Sequence, residues 1–512
     1  MSAADNPVLS SIYTGLAVEG GHVAVYFAHD GETFDFVTNQ GEWTAYEQAQ
    51  VMSALATYSS FANVTFSITD DATEAEFKLT KSASEFGSLG FMNLPDPDLG
   101  DDQGLAWFNT FFDWGGPGSG LLDPGAYTFT IFLHEFGHGL GLDHPFDATG
   151  LSTQIPAIDP DGDGLDQGIY TVMTYNDGWP ENPAGGPDSA AYGWNLTPSP
   201  IDIAVLQQMY GANPTTGAGR NTYTLPGSDE PGTGYAAIWD TGGLDMIVHS
   251  GSRAATIDLR MASLKAAEGG GGFVSYVDGV HGGFTIANGV VIENAIGGSG
   301  DDTLIGNTAD NRLNGGAGSD AMAGGQGDDI YIVDRVGDTV SEGRGGGNDT
   351  IRTSRIDISL ADQPHVENIS LFGRRHLDAE GNEADNVIEG NRGDNVIFGH
   401  GGDDYLYGGL SFDGIDGGSG NDTLIGSLGP DTLTGGAGRD TFVITEDDGR
   451  ATITDFTARD MLDLSAFGLE DVASVTALAE TDRAGTVLQL DGARVLFIDV
   501  AASLFTEDTL IL

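Results

Sequence analysis

The sequence predicts a multidomain protein in which an α+β domain precedes an all-β domain folded as a parallel β-roll. Two observations predict this division. Helical and strand patterns are mixed over about the first 215 residues, whereas a nine-residue repeat rich in glycine and aspartate fills much of the remainder. A length of 512 residues is also more than one ordinary domain accommodates.

The helices and strands of the first part are predicted from the spacing of apolar residues. The segments with helical spacing are 43–62, 127–140 and 201–212. The alternating segments that predict strands are HVAVYFA (22–28), VTFSIT (64–69) and EFKLTKS (76–82). The turn-rich residues 142–170 are predicted to form a loop. Residues 216–296 contain strand-like pieces separated by glycine turns.

The repeat has the pattern G-G-x-G-x-D-x-U-x, in which U is apolar. Four units occupy residues 297–332 and seven occupy residues 381–443. The glycines permit tight left-handed turns, and the last three residues of each unit predict a short strand with U pointing inward. Stacking of such units predicts the parallel β-roll. Because residues 333–380 break the nine-residue register, we expect two blocks of roll separated by an irregular segment.

The sixth residue of each unit is predicted to give a carboxylate oxygen to a calcium ion held between successive turns, together with backbone carbonyls. Asn311, Asn386 and Asn395 occupy this position without a charge, so we expect weaker ion binding there. The alternative is a disordered Gly/Asp-rich linker, which the phased apolar residues disfavour. The predicted calcium ligands are Asp302, Asp320, Asp329, Asp404, Asp413, Asp422, Asp431 and Asp440.

The composition excludes several classes of protein. The formal net charge is −58, so nucleic acid is not an expected partner, because phosphate binding needs a basic surface. The absence of cysteine excludes disulfides, thiolate metal sites and thiol nucleophiles. So many carboxylates are typical either of a solvated, salt-adapted surface or of hard-cation binding, and the phased repeats favour calcium for the second half.

Residues 134–144 read HEFGHGLGLDH and fit the pattern H-E-x-x-H-x-x-G-x-x-H at every fixed position. On a helix, His134 and His138 face one way and are able to bind one metal ion. Gly141 permits a sharp turn that brings His144 back as a third nitrogen ligand. Three neutral imidazoles and a water predict an open catalytic zinc site, with Glu135 as the general base. The alternative, an exposed helix with unrelated histidines, is disfavoured by the eleven-residue pattern.

Two downstream segments extend this prediction. TVMTY (171–175) places Met173 two residues before Tyr175, at the spacing of the Met-turn that underlies the zinc in metzincins. The loop DPDGDGLDQG (159–168) has the D-x-D-x-D-G spacing of a calcium loop, and a solvated acidic loop is its alternative. The carboxylates predicted to bind calcium in that loop are Asp159, Asp161 and Asp163.

These motifs, with IDIAVLQQMYGAN, AIWDTGGLDMI and GGFTIANGVVIENAIGGSGDDTLIGN, resemble landmarks of the serralysin family in family order. Serralysins are bacterial metzincin zinc proteases that carry an RTX calcium-binding β-roll. The resemblance covers most of residues 20–335 and, more loosely, the second repeat array and the C-terminal region. It implies one catalytic Zn²⁺, several structural Ca²⁺, and endopeptidase action on proteins or peptides outside the cell. One departure is Asn176, where many relatives carry Trp.

The resemblance also implies roles for individual residues. Tyr175 is implied to ligate zinc in the resting enzyme and then to swing away and stabilise the oxyanion of the tetrahedral intermediate. EFKLTKS (76–82) is implied to be the edge strand against which the substrate lies.

Export is expected to proceed without an N-terminal leader. Residues 1–20 lack the features of a signal peptide, and no apolar run approaches the ~18 residues of a membrane span. ITDFTARDMLDLSAFG (453–468) and the final EDTLIL resemble the C-terminal region of proteins exported by type I secretion. We therefore expect an extracellular bacterial monomer whose partners are its substrates and the type I secretion apparatus.

The expected domain organisation follows the same landmarks. We expect an N-terminal segment or short propeptide at 1–20, the catalytic domain at 21–215 and a β-rich connector at 216–296. The first repeat block follows at 297–332, the irregular segment at 333–380 and the second block at 381–443. A C-terminal β region with the secretion signal occupies 444–512. The alternative function is a calcium-binding RTX surface or adhesion protein with an inactive metzincin domain. An intracellular metalloprotease is a third alternative, which the repeats disfavour.

Overall fold

In the computed structural model, the chain divides into two compact units, Met1–Gly298 and Ser299–Leu512. The structure describes residues 2–35, 37–83, 88–146, 164–446, 449–481 and 483–512. Asp159, Asp161 and Asp163, the predicted ligands of the calcium loop, lie outside the described residues. None of the helices in the described ranges has the length and apolar character that a membrane span requires.

The first unit contains a five-stranded sheet in which four strands are parallel and one edge strand is antiparallel. In chain order the strands are β1 His22–Phe27, β2 Thr65–Ile68, β3 Phe77–Ser82, β4 Gly90–Met92 and β5 Leu105–Asn109. Their spatial order is β2-β1-β3-β5-β4, so the antiparallel β4 closes one edge.

The prediction that EFKLTKS forms an edge strand is wrong. This segment is β3, which pairs with β1 on one side and with β5 on the other. Phe77 and Leu79 of β3 are fully buried, as expected of a strand in the middle of a sheet. The edge is formed instead by the short strand β4, which the sequence analysis did not identify.

Four helices accompany this sheet: α1 Pro7–Ser10, α2 Ala45–Phe61, α3 Tyr127–Gly139 and α4 Pro200–Tyr210. The three predicted helices correspond to α2, α3 and α4. A capping box between Thr44 and Glu47 begins α2. Helix α3 packs against α2 and against the edge strand β4. Its residues 128–139 are all buried, which explains why its apolar residues are not confined to one face.

The remainder of the first unit is rich in short strands, as the glycine-separated pieces of the sequence predict. One group of five comprises Trp194–Asn195, Gly234–Ile238, Ala255–Asp258, Ser275–Val277 and Gly283–Ile286. A second group of three parallel strands comprises Thr222–Thr224, Met246–Val248 and Asn294–Ile296.

The second unit is a parallel β-roll. Strands pair with the residue 18 positions further on, as Thr303 does with Ala321 and Thr423 with Thr441, so two nine-residue repeats make one full turn. The apolar eighth residue of every repeat, from Leu304 to Phe442, is at most 2% exposed. The predicted all-β parallel roll with its inward apolar positions is therefore confirmed. Its strands up to residue 443 are Thr303–Ile305, Arg312–Asn314, Ala321–Ala323, Ile330–Ile332, Thr339–Val340, Thr350–Thr353, Ile358–Ser359, Asn368–Leu371, Ala379–Glu380, Val387–Glu389, Val396–Gly401, Tyr405–Leu410, Gly414–Ser419, Thr423–Ala437 and Thr441–Val443.

The roll is one continuous stack, and the expectation of two separate blocks is wrong. Within residues 333–380 the ladder continues, because Ile330 pairs with Thr350, Thr350 with Asn368, and Asn368 with Val387. These steps are 20, 18 and 19 residues long. The extra residues lie in the turns, so the nine-residue pattern is lost from the sequence while the strands stay in line.

The C-terminal region adds further strands to the same stack. Gly449–Ile453 pairs in parallel with Ala493–Ile498, and Met461–Asp463 pairs with Leu510–Ile511. The strands Ala479–Thr481 and Gly485–Gln489 complete an antiparallel meander with Ala493–Ile498. A short helix, α5 Val472–Ala477, precedes this meander.

The inward positions predict where the roll is sensitive to truncation. Ile388→Ala should lower the free energy of unfolding in saturating calcium by about 2–5 kcal/mol, because Ile388 is fully buried and its loss leaves a cavity. The matched control, Val387→Ala on the same strand, should cost less than about 1 kcal/mol, because Val387 is 39% exposed. Urea unfolding followed by circular dichroism measures both. Equal losses would contradict the inward assignment of position eight.

Candidate active site and metal centres

Helix α3 carries the first two histidines of the HEFGHGLGLDH segment on one buried face. His134 and His138 are four residues apart, one helical turn, and both are buried. Gly137 leaves room for a neighbour, because a Cβ atom there would lie 2.4 Å from Met173 Sδ. The site is therefore built on a rigid, fully packed helix.

The third histidine is brought back by the turn that ends α3. Gly141 has a φ of 98°, and a Cβ atom at this residue would lie 1.9 Å from the carbonyl oxygen of Leu16, so the turn requires glycine. The N-terminal segment braces the turn: Thr14 Oγ1 donates to the Gly141 carbonyl at 2.6 Å, and the Asp143 N–H donates to the Ile12 carbonyl at 3.0 Å. Part of residues 1–20, the expected N-terminal segment or short propeptide, is thus packed against this turn.

The imidazoles of His134, His138 and His144 converge through their Nε2 atoms. His144 Nε2 lies 3.2 Å from the Nε2 atom of each of the other two. Zinc with Zn–N bonds of 2.0–2.1 Å in tetrahedral geometry holds its nitrogen ligands about 3.3 Å apart. The spacing therefore fits a single tetrahedral zinc ion.

The protonation of two of these imidazoles also fits a metal ligand. His134 Nδ1 donates to the Val172 carbonyl at 2.7 Å, and His138 Nδ1 donates to the Leu142 carbonyl at 2.9 Å. A carbonyl oxygen only accepts, so Nδ1 carries the proton and Nε2 keeps its lone pair. Burial, with the neighbouring His144, lowers the pKa of His134 to about 4, and burial also lowers the pKa of His138. Both rings are thus neutral at pH 7.

Glu135 belongs to α3, and its side chain contacts the edge strand β4. Its carboxylate accepts a hydrogen bond from the Met92 N–H, and a Cβ atom at Gly90 would lie 2.8 Å from its Oε1 atom. Burial raises the pKa of Glu135 to about 8, against the opposing effect of the Met92 hydrogen bond. A carboxyl group of this kind, beside a metal site, is able to exchange a proton near neutral pH.

Met173 lies beneath this site, and α4 fixes the turn that holds it. Asp202 of α4 accepts hydrogen bonds from Thr171 Oγ1 at 2.6 Å and from the Val172 N–H at 2.8 Å. The Val172 carbonyl in turn orients His134. Sequence reasoning missed Asp202, although the Ser199–Asp202 capping box that begins α4 is a signal for it.

Tyr175 lies at the rim of the site and is 67% exposed. Its ring centroid is 4.7 Å from that of His144 and 5.8 Å from that of His134. The histidines, Glu135, Tyr175 and strand β4 line one cleft of about 760 Å³. The structure thus gathers the predicted zinc ligands, the predicted base, Met173 and Tyr175 in one place.

The predicted calcium aspartates form a ladder along the roll. In all of them but Asp302, one carboxylate oxygen accepts the backbone N–H of the equivalent residue one turn earlier, as Asp422 Oδ1 does from Asp404 at 2.9 Å and Asp404 Oδ1 from Asn386 at 2.8 Å. All eight are buried: Asp302, Asp320, Asp329, Asp404, Asp413, Asp422, Asp431 and Asp440.

In several of these residues the second carboxylate oxygen accepts no hydrogen bond from the described residues. The buried Oδ2 atoms of Asp320, Asp404, Asp413 and Asp422 have no hydrogen-bond partner among the described residues. Each Oδ2 lies over the first glycine of its own repeat, where a Cβ atom would be 2.2 to 2.7 Å away. Burial raises the pKa of Asp404 and Asp413 to about 7. Buried oxygens of this kind are suited to calcium, which takes six to eight oxygen ligands.

The ladder also contains carboxylates that the nine-residue pattern does not include. Asp338, Asp349 and Asp460 accept the N–H groups of Asp320, Asp329 and Asp440 at 2.9 to 3.1 Å. Sequence reasoning missed Asp349 and Asp460 because two-residue insertions displace them from the register. Asp338 keeps the 18-residue spacing, but its unit, VDRVGDTVS (333–341), lacks the glycines of the pattern. The run GGGNDTI (345–351) is a recognisable signal for Asp349.

Comparison with known proteins gives two family matches. Residues 201–384 match the Peptidase M10 serralysin C-terminal domain. Residues 380–415 and 416–443 match the RTX calcium-binding nonapeptide repeat. These repeats indicate calcium binding by the roll.

Several relatives are similar over part of their length. The chain is 33% identical to the serralysin of Photorhabdus laumondii over 283 residues, which cover 52% of this chain and 54% of that protein. It is 31% identical to Metallopeptidase AprA of Pseudomonas marginalis over 52% of this chain and 56% of that one. Serralysin C of Dickeya chrysanthemi is 34% identical over 54% and 55% of the two chains. The chain thus spans about half the length of the relatives that it matches.

The raised pKa values predict how the roll responds to pH. In a metal chelator, its free energy of unfolding should fall as the pH rises from about 4 to about 7. The reason is that Asp404 and Asp413, with a pKa of about 7 when folded, hold protons that the unfolded chain releases at about pH 4. Saturating calcium should remove this dependence, because the ion replaces the protons. Urea unfolding at pH 4, 5.5 and 7 measures it, and stability that rises with pH in chelator would contradict the assignment.

Proposed function

We propose that this chain is a member of the serralysin family and a secreted zinc-dependent endopeptidase that hydrolyses peptide bonds in extracellular proteins. The observation that carries the proposal is the convergence of three imidazole Nε2 atoms beside the buried carboxyl group of Glu135, in a cleft of about 760 Å³. A cleft of this size accommodates a segment of peptide.

His134, His138 and His144 would hold the zinc ion. When bound, zinc polarises the scissile carbonyl and lowers the pKa of water towards ~7. The chain's own part is to present three imidazole nitrogens, two of them oriented by the carbonyls of Val172 and Leu142.

Glu135 is the proposed general base. Its carboxylate takes a proton from the attacking water and passes it to the leaving amine. The Met92 N–H holds the carboxylate in place, while burial keeps its pKa far above that of an ordinary glutamate. A nearby cation lowers this pKa, so the carboxylate is ionised at neutral pH when the metal is bound.

The edge strand β4 is the proposed docking line for the substrate. Among the described strands it pairs only with β5, and it lines the cleft next to Glu135. An extended peptide that adds to this edge would place its backbone along the base, with Gly90 leaving room for the Glu135 carboxyl group. This assigns to β4 the role that the sequence analysis gave to residues 76–82.

Tyr175 is the proposed donor to the oxyanion and a zinc ligand at rest. Its position beside the rings of His134 and His144, at the exposed rim of the cleft, supports this role. Loss of one oxyanion donor typically costs 10²–10³ in kcat.

Calcium is the proposed trigger for folding of the roll after export. Without the ion, the buried aspartates of neighbouring turns repel one another, and with it they gain a counter-charge. Low calcium before export would keep the repeats unfolded for a type I secretion apparatus. Roughly millimolar calcium outside would fill the sites.

The alternative is a calcium-binding surface or adhesion protein with an inactive metzincin domain. The presence of the three histidines, the base and Tyr175 in one cleft supports the enzyme. Casein hydrolysis measured with and without phenanthroline separates the two functions. An enzyme hydrolyses casein and is inhibited by the chelator, whereas an adhesion protein is inactive in both conditions.

The sharpest test of the mechanism is Glu135→Gln. This variant should lose about 10²–10⁴-fold in kcat for casein, because the amide cannot take a proton from water. It should retain one zinc ion per chain by elemental analysis, since the three histidines are unchanged. Glu74→Gln, which changes an exposed glutamate, is the matched control and should keep full activity. Undiminished turnover in Glu135→Gln, or an equal loss in the control, would contradict the assignment of Glu135.

A further inference from the structure

Three carboxylates converge where the irregular segment enters the roll. Ligand oxygens of Asp329, Glu342 and Asp349 all lie within 4.8 Å of one another. Asp329 belongs to the last repeat of the first array, but Glu342 and Asp349 belong to no nine-residue unit. Among the residues that the structure describes, only the three histidines form another group of this kind.

In each of the two aspartates, one carboxylate oxygen accepts a backbone hydrogen bond and the other accepts none from the described residues. Asp329 Oδ1 accepts the Asn311 N–H at 2.7 Å, and Asp349 Oδ1 accepts the Asp329 N–H at 2.9 Å. Their Oδ2 atoms are buried and have no hydrogen-bond partner in the described ranges. Asp329 is 1% exposed and Asp349 is 0% exposed, so water does not readily compensate them.

Glu342 is held in place against these aspartates. Its Oε1 atom accepts hydrogen bonds from the Gly324 N–H at 3.1 Å and from the hydroxyl of the fully buried Tyr331. Its Oε2 atom accepts the Gly343 N–H at 3.1 Å. A glutamate fixed in this way is directed into the cluster, whereas a solvated surface glutamate is free to turn away.

Two glycines keep the surrounding space open and lined by oxygen. A Cβ atom at Gly346 would lie 2.7 Å from Glu342 Oε2, 3.0 Å from the Gly325 carbonyl oxygen and 3.3 Å from the Gly343 carbonyl oxygen. A Cβ atom at Gly324 would lie 2.0 Å from Asp329 Oδ2. Carboxylate and carbonyl oxygens therefore surround the cluster at positions where a larger residue does not fit.

We propose that Asp329, Glu342 and Asp349 form a calcium site built by the irregular segment. Within the described ranges, no lysine or arginine pairs with any of the three, so their charges lack a counter-ion from the protein. Three anions this close, two of them buried, are costly without a cation. A ligand set made only of carboxylates and carbonyls suits calcium, whereas magnesium keeps several waters and zinc prefers nitrogen and sulfur.

This site differs from those between regular turns. A regular pair of aspartates is 18 residues apart, as in Asp404 and Asp422, whereas Asp329 and Asp349 are 20 apart. The two inserted residues lengthen the turn, and Glu342 from that turn adds a third negative charge. More ligand charge gives higher calcium affinity. The ion would fasten the lengthened turn to the roll where the repeat pattern is interrupted.

The test counts calcium ions bound to the full-length protein. Wild type, Glu342→Gln and the matched control Glu470→Gln are titrated with calcium alone, and bound calcium is measured by equilibrium dialysis. Glu342→Gln should bind one calcium fewer in the tightest class, with affinity at that site at least tenfold weaker. Glu470→Gln, which removes the same charge from an exposed position, should match the wild type.

Hydrogen exchange gives an independent readout. In calcium, the backbone amides of residues 339–350 should be protected in the wild type and in the control, and should lose protection in Glu342→Gln. Unchanged calcium binding in Glu342→Gln, or the same loss in Glu470→Gln, would overturn the proposal.

A folding control keeps the test interpretable. The β signal in circular dichroism at saturating calcium should be the same for all three proteins. If Glu342→Gln does not fold there, Glu342→Asp, which keeps the charge on a shorter side chain, replaces it. That variant should bind the full number of ions with the tightest class weakened, and an unchanged tightest class would overturn the proposal.

Discussion

The structure depends on metal-ligand atoms, most of them buried, that the fold holds in fixed positions. In the first unit, the Nε2 lone pairs of His134 and His138 point towards His144 at the end of a packed helix. In the second unit, aspartate Oδ2 atoms lie inside the roll with no hydrogen-bond donor in the described ranges. Burying such atoms costs free energy unless something compensates them. Metal ions compensate both sets: zinc binds imidazole nitrogens, and calcium binds carboxylate oxygens.

Hydrogen bonds from residues outside the ligand set hold these atoms in position. The carbonyls of Val172 and Leu142 fix the tautomers of two histidines, and Asp202 fixes the turn that carries Val172. In the roll, backbone N–H groups donate to one oxygen of an aspartate such as Asp422 or Asp431, and the other oxygen lies over the first glycine of the same repeat. The glycines serve the same purpose, since Gly141 and the first glycine of the repeats stand where a Cβ atom would collide.

Much of this arrangement is predictable from the sequence, because the relevant patterns are local. The three helices follow from apolar spacing, the inward side chains of the roll follow from the repeat, and the eleven-residue histidine pattern places its own turn at Gly141. The convergence of His134, His138 and His144 depends only on that short segment. Met173 is predictable as well, because its spacing to Tyr175 is distinctive.

What the sequence does not predict depends on long-range pairing. Residues 76–82 read as a strand, but only the complete sheet reveals that this strand is central and that β4 forms the edge. The continuity of the roll is hidden because insertions in its turns disturb the repeat without disturbing the ladder. Glu342 carries no local signal, since it meets Asp329 and Asp349 only after the turn has folded. Asp202 is likewise recognisable as a helix cap but not as the support of the Met-turn.

The central claim is that a metal ion completes the buried histidine set. Its most direct test is a crystal structure of the Glu135→Gln variant with diffraction data recorded at the zinc absorption edge. The account predicts one anomalous peak within about 2.0–2.1 Å of the Nε2 atoms of His134, His138 and His144. A zinc-replete crystal with no anomalous peak at these three nitrogens would contradict it.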